Sequence, residues 1–359
     1  MKKKILTILV LALTVIAANA QEQPKKWYDN IKFSGYGMLQ YQWQDKEEKQ
    51  TNTFNLRFLR MILDGKIGDF DWRAQIQGTN AKGPAEPTVQ LVDLYTEWVK
   101  HKEFRVKVGQ FKRAFTFENP THPITQGWYS YADVIMRLSG FGDRAGEKSS
   151  GGRDIGIQVQ GDLFPVANGR RLFHYQVGVY NGEGINRTDK DNRKDIIGGL
   201  WVMPIEGLRF GAFGWTGSHG DMVDPIDGST KSVPLNRYCL SAEYDKDEVT
   251  VRAEFLHSQG LAAKAIGSNE IDYSKGDKAD GWYVFGIVPV VKSKLHAKAR
   301  YQCYRQSKDW DSAKTMYEVG MNYYFSKNLE ITAEYARVND RTLNNHDYNF
   351  VDVELDFRF

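Results

Sequence analysis

The chain ends on VDVELDFRF, residues 351–359. Val351, Val353, Leu355, Phe357 and Phe359 take the odd places, and Asp352, Glu354, Asp356 and Arg358 take the even ones. Successive side chains on a strand point to opposite faces, so a strict period of two marks a strand with one apolar and one charged face. A half-buried strand of a soluble sandwich alternates in the same way. The last residues of soluble chains usually fray, however, and here an aromatic residue occupies the final place of an unbroken pattern. That ending points to a strand whose last residue is held.

The other end of the chain favours export. MKKKILTILVLALTVIAANA, residues 1–20, places Lys2, Lys3 and Lys4 before an apolar run from Ile5 to Ala18 and a small-residue site, Ala18-Asn19-Ala20. This is the form of a secretory signal peptide. Cleavage near Ala20 leaves residues 21–359 as one expected domain. The apolar run falls short of the roughly 20 residues of a spanning helix, and no Cys stands at the cut to carry a lipid. The signal contains three of the 48 basic residues, so the remainder carries about 45 against 45 acidic residues. A formally neutral chain gives no argument for nucleic acid or for acidic partners. Two cysteines, Cys239 and Cys303, are not a disulfide framework.

The alternation of the C-terminus recurs along the chain. Strands are expected near 31–44, 52–67, 70–78, 89–100, 103–111, 153–161, 171–180, 194–203, 207–217, 235–245, 248–259, 280–290, 294–306, 314–325, 328–338 and 348–359. Short links such as Gly68-Asp69, His101-Lys102 and Ser326-Lys327 alternate with long polar segments, the longest at 112–152. One apolar and one charged face per strand, with almost no helical periodicity, is the pattern of an outer-membrane barrel. Lipid offers the backbone no hydrogen bonds, so such strands must close on one another. The expected fold is therefore all-β: a transmembrane antiparallel β-barrel of about sixteen strands, with both termini on the periplasmic side. A soluble β protein is the competing architecture.

Several stretches carry a resemblance to a known family: RFLRMILDGKIGDFDWRAQIQG, VKVGQFKRAFTFEN, GGRDIGIQVQG, YQVGVYNGEGIN, LSAEYD, ARYQCY and YEVGMNYYFSKNLEITAEYARV. In this order they resemble the phosphate-selective porin O and P family, in the form common in Bacteroidetes. The resemblance implies a sixteen-stranded outer-membrane porin of a Gram-negative cell. It implies a homotrimer passing small hydrophilic solutes or anions by diffusion, with a third outer loop folded inward to narrow the channel. It does not establish phosphate as the solute, and Arg113 stands where a small residue followed by Pro is more usual after GQFK. A barrel of this class has outer-membrane lipid and lipopolysaccharide around it, and barrel assembly machinery reads its C-terminal aromatic strand, here Phe357 and Phe359. No cofactor is expected.

Alternation also assigns the lumen. Arg57, Arg73, Arg105 and Lys107 would line strands two to five, with Lys112 and Arg113 at the entry of the long loop. Phe58-Leu59 interrupts the count before Arg60, and a bulge there would turn Arg60 inward. Arg252, Lys298 and Arg300 would project from strands eleven and thirteen. Glu318, Glu330, Glu334, Asp352, Glu354 and Asp356 would line strands fourteen to sixteen, expected opposite the basic cluster. Basic rings select anions and acidic rings cations, so a near-neutral chain with both points to a mild anion preference. Catalysis is not expected: the seven histidines are scattered, and Gly217-Ser218-His219-Gly220 lacks the strand–turn–helix setting of a nucleophile elbow. Asp189, Asp191, Asn192 and Asp195 could hold a calcium ion, but their spacing lacks the glycine and terminal glutamate of a calcium loop, so a solvated polar loop with no metal is the expectation. The alternative function is a non-conducting barrel that serves as an adhesin or as a scaffold subunit of an outer-membrane complex.

Overall fold

The computed structural model describes residues 27–47, 49–80, 89–147, 150–166 and 168–359. The expected signal peptide, residues 1–20, lies outside the described residues. Trp27–Asn30 form a short 3-10 turn. From Lys32 onward, sixteen antiparallel strands pair in sequence order and close into a barrel. They are β1 (Lys32–Gln44), β2 (Thr51–Ile67), β3 (Phe70–Gly78), β4 (Val89–Trp98), β5 (Arg105–Lys112), β6 (Arg153–Pro165), β7 (Arg171–Tyr180) and β8 (Asp195–Val202). The ring continues with β9 (Leu208–Val223), β10 (Thr230–Lys246), β11 (Val249–Gln259), β12 (Lys278–Val291), β13 (Leu295–Arg305), β14 (Ala313–Ser326), β15 (Leu329–Asp340) and β16 (Asp347–Arg358).

The two faces of these strands invert the usual rule of burial. Leu63, Leu94, Val108, Leu200, Leu240, Val284, Val319 and Leu355 stand exposed on the outside, while Arg60, Arg252, Arg300, Glu318, Glu334 and Asp352 are buried within. Water would punish that arrangement and lipid rewards it. Exposed aromatic residues gather near the short-turn end, among them Phe33, Phe70, Phe104, Phe325 and Phe359, as the girdle at a membrane interface requires.

The last residue completes the closing ladder. Phe359 N donates to Gly35 O at 3.0 Å and Gly35 N donates to Phe359 O at 2.9 Å. Gly35 and Gly37 leave room for the two terminal rings. A Cβ on Gly35 would come within 2.5 Å of the Phe359 ring, and one on Gly37 within 2.3 Å of the Phe357 ring. Aromatic rings laid over strand glycines pin register. Gly35→Ala is therefore expected to cost about 1–3 kcal/mol through overpacking, since its Cβ would also meet Arg60 O at 2.4 Å. The temperature at which the folded gel band converts to the unfolded one should fall; an unchanged temperature would contradict this seam.

Two features depart from the expected boundaries. β9 and β10 run past the apolar belt as a tall hairpin, because their ladder continues through polar residues, from Gly217↔Leu235 to Val223↔Thr230. A two-residue hairpin, Ala262–Ala263 with Ile271–Asp272, forms inside the loop after β11. The largest departure from plain barrel geometry is the segment 113–147 with 150–152 between β5 and β6. It carries a single helix turn and a half, α1 (Asp133–Leu138), and folds into the lumen. Phe115, Phe117, Trp128, Ile135 and Leu138 pack there with Phe213, Trp215, Tyr283 and Phe285 of the wall in one apolar cluster.

Candidate channel constriction

The inward loop is held by wall side chains that reach its backbone. On β11, Glu254 is buried and accepts from Phe117 N at 2.6 Å and Glu118 N at 3.2 Å. It also takes the hydroxyls of Ser241 at 2.5 Å and Tyr283 at 2.7 Å. Lys298 donates to Gly127 O at 2.6 Å, and Arg300 donates to Ser130 O at 2.9 Å while its other nitrogens grip Glu318. The returning limb is fixed by a second set. Arg113 bridges Glu147 at 3.0 Å and Asp154 at 2.7 Å, and Arg237 bonds Asp143 at 2.7 Å and Leu138 O at 3.0 Å. Trp215 lies near both guanidiniums, at 4.8 and 4.6 Å from its ring centre.

Two loop carboxyls in this packing sit above their ordinary range. Burial pushes Glu118 up to about 7, against the pull of Arg252 and Arg300. Burial likewise pushes Glu147 up to about 7 although Arg113 is beside it. A raised folded pKa means that the fold favours the neutral acid, so this contribution is fully present below the ordinary value of 4.5 and is lost as pH rises through about 7. Thermal stability is expected to decline across that window, and Glu118→Gln should flatten the decline. A native profile that the substitution leaves unaltered would contradict the assignment.

Among the described residues, the loop lies between two cavities of the lumen. One, of about 680 Å³ toward the long loops, is lined by Gln42, Asn55, Arg57, Arg60, Tyr131 and Arg153 among others. The second, of about 350 Å³ toward the short turns, is lined by Arg73, Tyr95, Lys107, Lys112, Trp201 and again Arg153. Arg153 faces both, so the neck lies beside it. Two more cations stand there. Arg60 donates to Gln77 Oε1 at 2.6 and 2.8 Å and to Tyr36 OH at 2.7 Å, all neutral acceptors. Among the described residues, Lys112 hydrogen-bonds only Asn119 Oδ1, at 3.4 Å, and lies over the Tyr131 and Phe141 rings at 5.1 and 4.6 Å. Arg153 has a carboxylate, Asp93, at 2.7 Å.

Lys112 and Arg153 are direct partners on the β5–β6 ladder. Like charges in that relation destabilise a sheet, and buried cations without a carboxylate are costly. Among the described residues the neck thus holds three cations with one directly paired carboxylate, Asp93, at a price the fold must meet elsewhere. His122, on the loop segment across the neck, registers the same field: burial and the cations Arg60, Arg153 and Arg73 push it down to about 3, so it adds no charge near neutral pH.

The other basic candidates are placed differently. Arg57 pairs with Glu354 at 2.7 Å, Arg73 with Asp64 at 2.7 Å, Arg105 with Asp162 at 2.8 Å and Lys107 with Glu97 at 3.1 Å. Arg252 pairs with Glu243, Arg300 with Glu318 and Lys298 with Glu334, all buried. The bulge in β2 falls where the alternation breaks: Met38 opposes Phe58 and Leu39 opposes Leu56, leaving Arg57 as the extra residue and Arg60 on the inner face. The acidic wall does not stand opposite the basic cluster. Closure puts β16 beside β1, so Asp352 takes a hydrogen bond from Gln42 on β1 and Glu354 reaches Arg57 on β2. Glu330 pairs with Arg358, and Asp356 opposes Glu330 on the ladder.

Arg153, Tyr36, Gln77 and Glu254 belong to the site and are not evident from the sequence. Arg153 had a signal, a cation at the first place of a strand directly after the long loop. Glu254 reads as one more inward acid until the loop is docked on it. In the fourth loop the acids turn to separate tasks: Asp195 takes Trp215 Nε1 at 2.8 Å and Ser218 N at 3.0 Å, and Asp191 takes Ser218 Oγ at 2.8 Å.

Comparison with known proteins agrees with this architecture. The family model described as phosphate-selective porin O and P matches residues 33–230. The outer membrane protein YedS of Escherichia coli is 21% identical over 354 residues, covering 93% of this chain and 92% of that one. Among solved structures, an anion-selective porin from Comamonas acidovorans aligns with a TM-score of 0.65 at 13% identity, over 92% of this chain and 99% of that one. The trimer form of OmpT, an outer membrane protein of Vibrio cholerae, aligns with a TM-score of 0.58 at 12% identity, over 92% of this chain and 99% of that one.

Proposed function

The chain belongs to the phosphate-selective porin O and P family, and we propose that its selectivity resides at the neck formed by Arg60, Lys112 and Arg153. It is an outer-membrane porin, a channel for passive diffusion of small hydrophilic solutes. The observation that carries the selectivity reading is the charge excess at that neck. Charges farther than a screening length of about 8 Å act weakly on a passing ion, so the neutral sum of the chain does not decide the matter. Cations held against neutral partners remain available to a mobile anion, whereas Arg57, Arg105 and Lys107 already face carboxylates. The preference is for small anions, phosphate or others, and it is mild, because Asp93 and the adjoining acidic wall offset part of the field.

On the same reading the mature domain is residues 21–359 after loss of the signal peptide 1–20, in the outer membrane of a Gram-negative cell of the Bacteroidetes kind. Both termini are periplasmic, three copies assemble, and the assembly machinery reads Phe357 and Phe359. The barrel then needs no catalytic residue. Reversal potentials in a KCl gradient test the selectivity: a mild chloride preference is expected, and a potassium preference would overturn it.

A further inference from the structure

The smaller cavity holds more chemistry than the passage of an inorganic ion requires. Trp201 and Phe117 meet edge to face at 5.6 Å on its wall, with the Arg209 guanidinium 3.9 Å over the Phe117 ring. His174 stacks on Trp201 at 3.9 Å and sets Nδ1 at 2.7 Å from Asp162 Oδ1. A carboxylate can only accept there, so Nδ1 carries the hydrogen and the ring orientation is fixed. Its other nitrogen, Nε2, is left without a partner among the described residues although the residue is only 6% exposed. Two residues along β7, on the same face, Gln176 also lines the cavity.

We propose that this cavity is a subsite for phosphorylated sugars. The phosphate meets Lys112 and Arg153 at the neck, the sugar ring lies against the partly buried Trp201, and its hydroxyls satisfy His174 Nε2 and Gln176. The proposal rests on the porin reading and names a solute class for it. Other solutes leave part of the wall unused. Inorganic phosphate uses only the cations, and a neutral sugar leaves their charge uncompensated. A flat aromatic acid covers the rings but leaves His174 Nε2 buried and unpaired, which is costly for a polar group. A cavity of about 350 Å³ is of the size that holds a small organic ligand.

The test measures inhibition of KCl current through the purified, folded protein by glucose 6-phosphate, inorganic phosphate, glucose and benzoate. Glucose 6-phosphate is expected to inhibit at a concentration about tenfold below each of the others. His174→Ala and Trp201→Leu should each bring it to the level of inorganic phosphate without altering inhibition by phosphate itself. His174→Gln, which retains a polar group of similar length, guards against a variant that fails to fold. Glucose 6-phosphate acting no better than phosphate, benzoate acting best, or all three variants behaving as the native protein would each overturn the subsite and leave the porin intact. Absence of any KCl current would instead count against the porin reading. Calorimetric binding of glucose 6-phosphate to the detergent-solubilised protein would then decide the subsite alone, in favour if it exceeds phosphate and against if it does not.

Discussion

Replacing Arg60 and Lys112 together by glutamine is expected to abolish the chloride preference, lowering the chloride-to-potassium permeability ratio by about three- to tenfold. A unit charge about 4 Å from an ion contributes up to about 4 kcal/mol at an effective dielectric constant near 20, and water in the pore reduces that to the modest factor given. Among the described residues both bond only neutral groups or rings, so their loss strands no described carboxylate. The paired change Arg105→Gln with Lys107→Gln removes the same formal charge from the short-turn side, where Asp162 and Glu97 already answer it. Its effect on the reversal potential should be the smaller of the two. The opposite order would show that the neck has been misplaced.

Glu254→Ala should produce the largest change in conductance. It leaves two loop N–H groups and the hydroxyls of Ser241 and Tyr283 without their acceptor, and each orphaned buried group costs about 1–3 kcal/mol. The barrel ladder does not depend on this contact, so the gel shift on heating should persist while the loop root comes away from the wall. Single-channel conductance is expected to rise several-fold with a noisier open level, and Glu254→Gln, which keeps one carbonyl acceptor, should lie between. A native conductance in Glu254→Ala would mean that Lys298, Arg300 and Arg237 hold the loop without it.

The barrel was legible in the sequence because lipid imposes a rule on every strand: apolar residues at one parity and polar residues at the other. The break at Phe58-Leu59 was readable as a bulge, and the register shift lies just before it, with Arg57 as the extra residue. Legibility ended where that rule ends. The upper halves of β9 and β10 stand beyond the apolar belt and alternate weakly, so only the ladder itself reveals them. The neck was read in part. Parity shows which charges face inward, but not which charges answer one another across strands. Arg57 is neutralised by Glu354 through the β16–β1–β2 neighbourhood, a relation between residues almost 300 positions apart. Lys112 is exceptional because its ladder partner is Arg153, and nothing in either local stretch announces that pairing. The expectation of an acidic wall across the pore erred for the same reason, since closure of the ring makes the last strands neighbours of the first.

On the proposed reading, a water-filled path runs past Lys112 beneath the inward loop. A Lys112→Cys protein in a planar bilayer, exposed to a small charged thiol reagent, tests it directly. Cys239 and Cys303 are both buried and free, so the unsubstituted protein is the control. Stepwise channel currents that fall sharply on modification of Lys112→Cys, with the control unaffected, are the predicted result. Currents that persist when mass spectrometry shows complete modification at that position, or a folded protein that never conducts, would contradict the account, and the latter would favour an adhesin or scaffold.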